Sequence, residues 1–425
     1  MPLLASLAIA LQGAAVPPAV LSTSSAANGA SYQPAISADG EWIAFTSSAS
    51  DLVEGDVDGE FDIYLRSRKL RTTERISDAS PTKCVMPAIS GDGRWIAYWK
   101  LADHTSAPRD EEARSSLVLH DRVARTSIEL DAVGVASRWK TLPSPASLSH
   151  DGARLAYLTL EGEQTVARVY DRKLGSSRSV SVSTRGESAD RDVTEVRLSS
   201  NGRFVVFCTD AVNLARPRAD GTDALFEFLH GRQHVFVHDL DEKTTKYASD
   251  RALQELGYSD YHAPRVSDDG RYVAYDHHDS RWGYAAHVAF LSDLQENLAG
   301  RLLAPPAEGG NRGYVTIEWL SRDGRRALVA TDLATLDGAE PQPGATDLYT
   351  FDADKKLFRR IAAPSANVAL SLRHPDLAVS ENGEHLAFAT YDTRAAANDI
   401  NGDCDVFVLS LGDGALELIS AARAK

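Results

Sequence analysis

Short apolar runs alternate with polar turns along this chain, and the alternation itself repeats. The first clear unit reads Pro34-Ala-Ile-Ser-Ala-Asp-Gly-Glu-Trp-Ile-Ala-Phe45. Related phrases return at 87–98, 146–157, 196–207, 264–275, 317–329 and 377–388. They are anchored by Gly40, Gly93, Gly152, Gly202, Gly270, Gly324 and Gly383, at spacings of 50 to 68 residues. Repetition at such a period indicates supersecondary units that bury their faces against each other. Asp-Gly or Asn-Gly between two β-rich runs is a strong hairpin signal, because both residues tolerate positive φ. The run after the turn, such as Trp42-Ile-Ala-Phe45 or Phe204-Val-Val-Phe207, is continuously apolar and predicts a strand covered on both faces. Two further strand signals follow. The third strand often ends in Asp, as in Val235-Phe-Val-His-Asp239. The fourth follows a short polar turn, as in Glu74-Arg-Ile-Ser77 and Leu416-Glu-Leu-Ile-Ser420. Each unit is therefore a four-stranded antiparallel meander, with strands A to D in chain order. One such sheet cannot bury both faces, whereas seven packed radially can, and radial closure leaves only short protected edges. The predicted fold is all-β: a seven-bladed β-propeller of four-stranded antiparallel blades.

The phrase Ser-x-Asp-Gly-x-x-Ile-Ala-Phe, followed by a strand ending in Asp and another ending in Ser, resembles the WD40-like PD40 repeat of TolB-type propellers. The resemblance covers about residues 31 to 420. It implies a protein-binding module at a cell envelope rather than an enzyme. Some oligogalacturonate lyases also resemble this repeat and use histidines with a divalent metal. That resemblance implies an alternative, a metal-dependent, polysaccharide lyase-like propeller enzyme with a central histidine site. Convergence of three or more of His262, His277, His278, Glu318 and His374 near the axis would mark that alternative. No GxSxG elbow, P-loop, dinucleotide-binding glycine motif or HExxH occurs.

Charge narrows the partners. The formal net charge of -15 repels phosphate backbones and anionic lipid, so nucleic acid and membrane insertion are not expected. A protein or glycan partner suits this surface, and a monomer is expected. The three cysteines, Cys84, Cys208 and Cys404, are too few and too far apart for a disulfide framework or a CxxC motif. Cys208 falls inside an apolar strand. A Cys84–Cys404 bridge requires the fold to bring the two together.

The N-terminus begins with an apolar run to Leu11, then Gln-Gly-Ala-Ala15. It is too short to span a membrane and fits a signal-peptide core, although it lacks a basic leader. Residues 1–15 are read as a signal peptide, 16–30 as a linker or closing strand, and 31–425 as one propeller domain, periplasmic or secreted. Val20-Leu-Ser-Thr23 resembles the end of a D strand and competes with Leu416–Ser420 for the closing place in the ring.

The connections between strands B and C are long and all different, whereas the A–B turns are short and alike. Variable loops on a rigid scaffold are where binding usually sits. The B–C loops are rich in Asp and Glu and the C–D turns in Arg and Lys, which predicts a disc acidic on its long-loop face. Two of these loops share a pattern of alternating oxygen donors about a Gly. One supplies Asp56, Asp58 and Asp62, and the other Asp399, Asn401, Asp403 and Asp405. Blades one and seven adjoin in a closed ring, so these residues form a candidate Ca²⁺ site. The alternative is that the last Asp of each loop caps the start of strand C. Trp99, Trp139, Trp282 and Tyr284 are candidate aromatic anchors for a partner or glycan.

Overall fold

The computed structural model describes residues 22–57, 59–78, 82–101, 115–134, 144–214, 233–249, 259–279, 287–295, 298–303, 315–331, 347–361, 377–392, 395–398 and 401–423. Seven four-stranded antiparallel sheets follow one another along the chain. Blade one comprises Ser31–Ile36, Trp42–Ser47, Asp62–Ser67 and Thr72–Arg75 as strands A to D. The A strands of blades two to seven are Cys84–Ile89, Ser147–Leu148, Val193–Leu198, Ser259–Val266, Val315–Leu320 and Leu377–Val379. Each A strand contacts the next, and that of blade one also contacts that of blade seven, so the ring closes. No helix among the described residues is long and apolar enough to cross a membrane.

The continuously apolar runs are the B strands, and they are buried as their composition requires. Phe204–Thr209 is buried at every position, and Trp42–Ser47 at all but the first. The D strands of blades one and three alternate exposed and half-buried positions, consistent with the outer edge of a blade. Cores form between blades. Ile43, Phe45 and Tyr64 of blade one pack with Ala387, Val406 and Val408 of blade seven, so the closing seam is packed like the others.

The turn phrase folds in the same way in every blade, but not as a two-residue turn with two left-handed residues. Only the glycine has positive φ, from 61° at Gly152 to 76° at Gly202. The Gly40 N–H donates to the Ser37 carbonyl (3.0 Å), making a turn from Ser37 to Gly40. The serine and the Asp or Asn lock it. Ser37 Oγ donates to Asp39 Oδ1 (2.7 Å), which also accepts from the Glu41 N–H (3.0 Å), and the Trp42 N–H donates to Ser37 Oγ (3.0 Å). The same set recurs at the Asn-Gly turn of Ser199 (2.8, 3.0 and 3.0 Å). The repeated Ser and Asp are thus explained by local bonding.

The glycine also serves the joint between blades. A Cβ on Gly93 would lie 2.5 Å from the Trp42 ring of the preceding blade, and one on Gly324 would lie 2.4 Å from Tyr272. The aromatic residue that opens strand B therefore rests on the next blade's glycine. Arg122 stacks over Trp42, its guanidinium 3.8 Å from the ring centroid, while its Nε donates to the Gly93 carbonyl (3.1 Å).

Blade seven draws all four strands from the C-terminal part of the chain: Leu377–Val379, His385–Thr390, Asp405–Ser410 and Leu416–Leu418. The N-terminal strand Ser22–Ser25 instead pairs in parallel with Ala396–Asn398, within blade seven's B–C connection. It then laces to the other end of the chain. Ala26 bridges Ala421, and the Ala27 N–H donates to the Ser420 carbonyl (3.0 Å). The cysteines are buried and unbridged, with Cys84 and Cys404 in different core clusters.

Candidate functional site

The A strands of all seven blades line one channel on the axis, about 260 Å³ in volume. Blades one, two, three and seven supply a mainly neutral wall, including Pro34, Ile36, Pro87, Pro145 and Leu377. Blades four, five and six supply Arg197, Arg265 and Glu318. The neutral wall owes part of its shape to backbone strain. Gln33 and Met86 have φ of 54° and 56°, each directly before a proline and within a register shift of its A strand. Ala263 repeats this on blade five, with φ 51° before Pro264. A left-handed non-glycine residue costs about 1–3 kcal/mol and is held only by its surroundings. Here the Met86 N–H donates to Gln33 Oε1 (2.9 Å), and the Ala263 N–H to Glu195 Oε2 (2.9 Å).

One mouth of the channel opens between the A–B turns. The residues at the x position of Ser-x-Asp/Asn-Gly, namely Ala38, Gly91, His150, Ser200, Asp268, Arg322 and Glu381, gather there. Adjacent turns are hydrogen-bonded to one another, as with Ala38 N–H to the Gly91 carbonyl (2.9 Å) and Asp268 N–H to the Arg322 carbonyl (2.8 Å). Glu381 of blade seven reaches across to blades three and four. Its Oε2 lies 2.9 Å from His150 Nδ1 and accepts from Ser200 Oγ (2.8 Å). Arg322 Nε donates to Asp268 Oδ2 (2.6 Å). These residues are not singled out by the sequence, where the long loops are the prominent variable feature. The available signal was the single unconstrained position inside an otherwise repeated turn.

The likeness to known proteins lies in the fold. The sequence matches no family model and no curated protein. Similar solved structures include an oligogalacturonate lyase from Vibrio parahaemolyticus, at 12% identity over 92% of this chain and 91% of that one, with a TM-score of 0.50. An oligogalacturonate lyase in complex with manganese is 13% identical over 93% and 97% of the two chains, with a TM-score of 0.53. TolB from Acinetobacter baumannii is 15% identical over 71% of this chain and 59% of that one, with a TM-score of 0.39. This chain is a seven-bladed β-propeller.

Several residues singled out in the sequence have structural roles in the propeller. Trp99 is 1% exposed, and its indole N–H donates to the Ser144 carbonyl (3.0 Å). A ring so enclosed cannot anchor a partner, which corrects its assignment. Trp139, Trp282 and Tyr284 lie outside the described residues, as do Asp58, Asp399 and His374. Asp62 and Asp405 turn into their own blades. Ser77 Oγ donates to Asp62 Oδ1 (2.5 Å) and Ser420 Oγ to Asp405 Oδ1 (2.6 Å), while each serine accepts the N–H of the next residue of strand C. This is the capping alternative, and it explains why these D strands lead into serine. Asp62 also pairs with Arg75 (2.7 Å), and Asp56 binds the Tyr64 hydroxyl. Asn401 Nδ2 donates to the Ala27 carbonyl, and its Oδ1 accepts from the Asp403 N–H. Among the described residues, no three His, Cys, Asp or Glu side chains are placed to hold a metal ion.

The histidine set divides. His277 is buried between Tyr261 and Phe290, at ring distances of 5.0 and 5.7 Å. His262 meets Glu195 (3.3 Å), while Glu318 lines the channel. The turn face also departs from the expected basic counterpart. Arg94 forks onto Asp121 (2.9 and 2.7 Å), and Arg203 and Arg271 do likewise with Asp239 and Asp293. In blades two, four and five the Asp that ends strand C is thus an arginine partner, and this face is a mosaic of both signs.

Proposed function

We propose that this propeller is an exported, non-enzymatic scaffold that binds a protein or glycan partner. The observation that carries this reading is how its reactive groups are engaged. Burial pushes the Cys84 thiol up to about 12 and Cys208 well above its ordinary range, which removes thiolate chemistry at neutral pH. Burial, then the charge of Arg178, holds His238 down to about 4, and its Nδ1 lies 2.9 Å from Thr245 Oγ1. His234 meets the Tyr247 hydroxyl (3.0 Å), and His277 is enclosed in the blade-five core. These side chains support blades. The two acidic loops of blades one and seven fit the same reading, since Asp62 and Asp405 pin strands rather than face solvent.

The alternative, a lyase-like enzyme, follows from the axial position of Glu318 and the oligogalacturonate lyase neighbours. The test has two arms. Capture from cell-envelope extract on immobilised protein should enrich a discrete partner, with and without a calcium chelator. Incubation with oligogalacturonate and Mn²⁺ should yield no unsaturated uronate absorbance. Turnover in the second arm overturns the scaffold reading.

A further inference from the structure

The C–D turns of six blades close on a left-handed residue at the same place, so they compare side chains on one backbone. The residues are Arg71, Arg125, Gly175, Lys243, Lys356 and Gly414, with φ from 49° to 72°. Blades one, two and three fill the turn with Arg-Lys-Leu-Arg (68–71), Arg-Val-Ala-Arg (122–125) and Arg-Lys-Leu-Gly (172–175). Blades four, six and seven carry Leu-Asp-Glu-Lys (240–243), Ala-Asp-Lys-Lys (353–356) and Leu-Gly-Asp-Gly (411–414). The two sets are inverted. In the second, the apolar first residue packs against a core, as Leu240, Ala353 and Leu411 do. In the first, an arginine takes that place. Arg122 lies over Trp42, and Arg172 lies 4.0 Å from the Trp95 centroid while its Nε donates to the Gly152 carbonyl (3.1 Å). Arg68 Nη1 donates to the Gly40 carbonyl (3.0 Å). The apolar residue moves to the tip, where Leu70, Val123 and Leu174 are 69%, 64% and 75% exposed. The other large apolar side chains exposed among the described residues are Val57, Ile128 and Tyr391, and Ile128 lies on the strand that leaves the Val123 turn. Single exposed aliphatics are ordinary; three at one position of three consecutive blades form an arc that packing does not explain.

We propose that this arc is a peripheral membrane-binding surface: Leu70, Val123 and Leu174 enter an anionic lipid interface, and Lys69, Arg71, Arg125 and Lys173 meet its phosphates. The sector as a whole is close to neutral, and the order of its charges sets it apart. Asp39, Asp92 and Asp151 stand on the A–B turns, nearer the axis, and Asp121 and Asp171 end strand C. Each accepts an N–H of its own turn. Glu41 is buried, and Glu417 pairs with Arg68 (2.8 Å). The tips themselves carry no carboxylate. Lys69, Arg71, Arg125 and Lys173 are exposed there, beside the aliphatics. Basic side chains flanking protruding apolar ones suit a surface that is anionic outside and hydrocarbon within. The tips project singly, one to a blade. A folded partner would need three matched pockets at blade spacing, whereas lipid closes around each tip separately. The chain's net charge of -15 acts from farther away. Screening limits charge effects to about 8 Å at physiological salt, and strands of six residues set the long-loop face about 20 Å back.

Sedimentation of the full chain with vesicles tests the arc. The anionic vesicles are phosphatidylcholine and phosphatidylglycerol mixed two to one, and pure phosphatidylcholine is the neutral surface. The protein should bind the anionic vesicles, leave them as salt is raised, and not bind the neutral ones. Lys69→Glu and Lys173→Glu should each weaken binding about fivefold or more, the effect of a cation lost beside an anionic surface. Leu70→Ser combined with Leu174→Ser changes no charge and should weaken binding about tenfold or more, from apolar area no longer buried. Lys356→Glu, on the corresponding turn of blade six, shifts the net charge as much as Lys69→Glu and should leave binding unchanged. All of these side chains are exposed, so the variants should melt as the wild type does. No binding to anionic vesicles, equal binding to neutral ones, an equal loss with Lys356→Glu, or no loss with the two serines would each overturn the proposal. Binding to poly-glutamate without binding to vesicles would also overturn it and assign the arc to an acidic protein. The surface does not depend on the scaffold reading, and partner capture by the serine variant reports on that separately.

Discussion

The residues with the greatest leverage are those whose polar groups lie inside a blade. Asp62 is 1% exposed on its side chain and pairs with Arg75, which is 12% exposed. Removing one partner of a buried pair typically costs about 3–5 kcal/mol, because the other charge stays behind. Asp62→Ala should therefore lower the unfolding free energy by about that amount. If Asp62 caps strand C and holds no metal, a calcium chelator should leave the melting temperature of both wild type and variant unchanged. Asp276 behaves in the opposite sense to a paired surface acid. Burial, then the nearby Glu318 charge, pushes its carboxyl well above the ordinary 3.8, although its Oδ1 accepts from the Ile317 N–H (2.8 Å). A raised acid keeps its proton in the folded chain after the unfolded chain has lost it. Its contribution is fully present below pH 3.8 and is lost as pH rises towards the folded value. Asp276→Asn keeps the accepting oxygen but has no proton to lose. Its melting temperature relative to wild type should thus be higher at pH 8 than at pH 5, and melts across that range test it. Neither role was legible in the sequence. Asp56, Asp62 and Asp405 looked like open ligands because alternation reports donor atoms, not which serine or arginine lies opposite. Asp276 belongs to no motif that marks it as buried.

At the scale of elements the sequence was more informative, since periodicity follows directly from burial. The continuous apolar runs announced the B strands, and the repeated Asp-Gly or Asn-Gly located every A–B turn. The serine's bond to local backbone was legible from its place before the dipeptide, whereas the restriction of positive φ to the glycine alone was not. The joint between blades was also hidden. Trp42 and Gly93 are 51 positions apart, and only the ring brings them together. Gly93→Ala should cost about 2–4 kcal/mol, summing a left-handed residue and an overpacked contact. Gly59 also has positive φ (65°), but nothing lies within 4 Å of where a Cβ would stand. Gly59→Ala should therefore cost only about 1–2 kcal/mol, from backbone alone. Chemical denaturation of the two variants separates the contact from the conformation.

For the whole molecule, the number of blades could be counted in the sequence, but the channel could not be read from it. The x positions of seven turns carry unrelated side chains, and only closure turns them into one mouth. The N-terminal strand likewise gave an uncertain signal, and its partner Ala396–Asn398 lies in a connection with no strand pattern of its own. The lacing of Ala26 and Ala27 to Ser420 and Ala421 has a mechanical consequence. Six of the seven joints are spanned directly by the polypeptide between consecutive blades, whereas the joint between blades seven and one is held non-covalently, by side-chain packing, by the pairing of Ser22–Ser25 with Ala396–Asn398, and by bonds across the seam such as Arg68–Glu417 (2.8 Å). Stretching the protein from its termini loads that joint first. Force spectroscopy should record an initial low-force release of the closing seam, followed by extension of the remaining blades. An engineered crosslink between the 26 and 421 positions should abolish that first event and leave the later ones in place. The ring thus has a weak link at a fixed address, a fuse that decides where the disc opens under load.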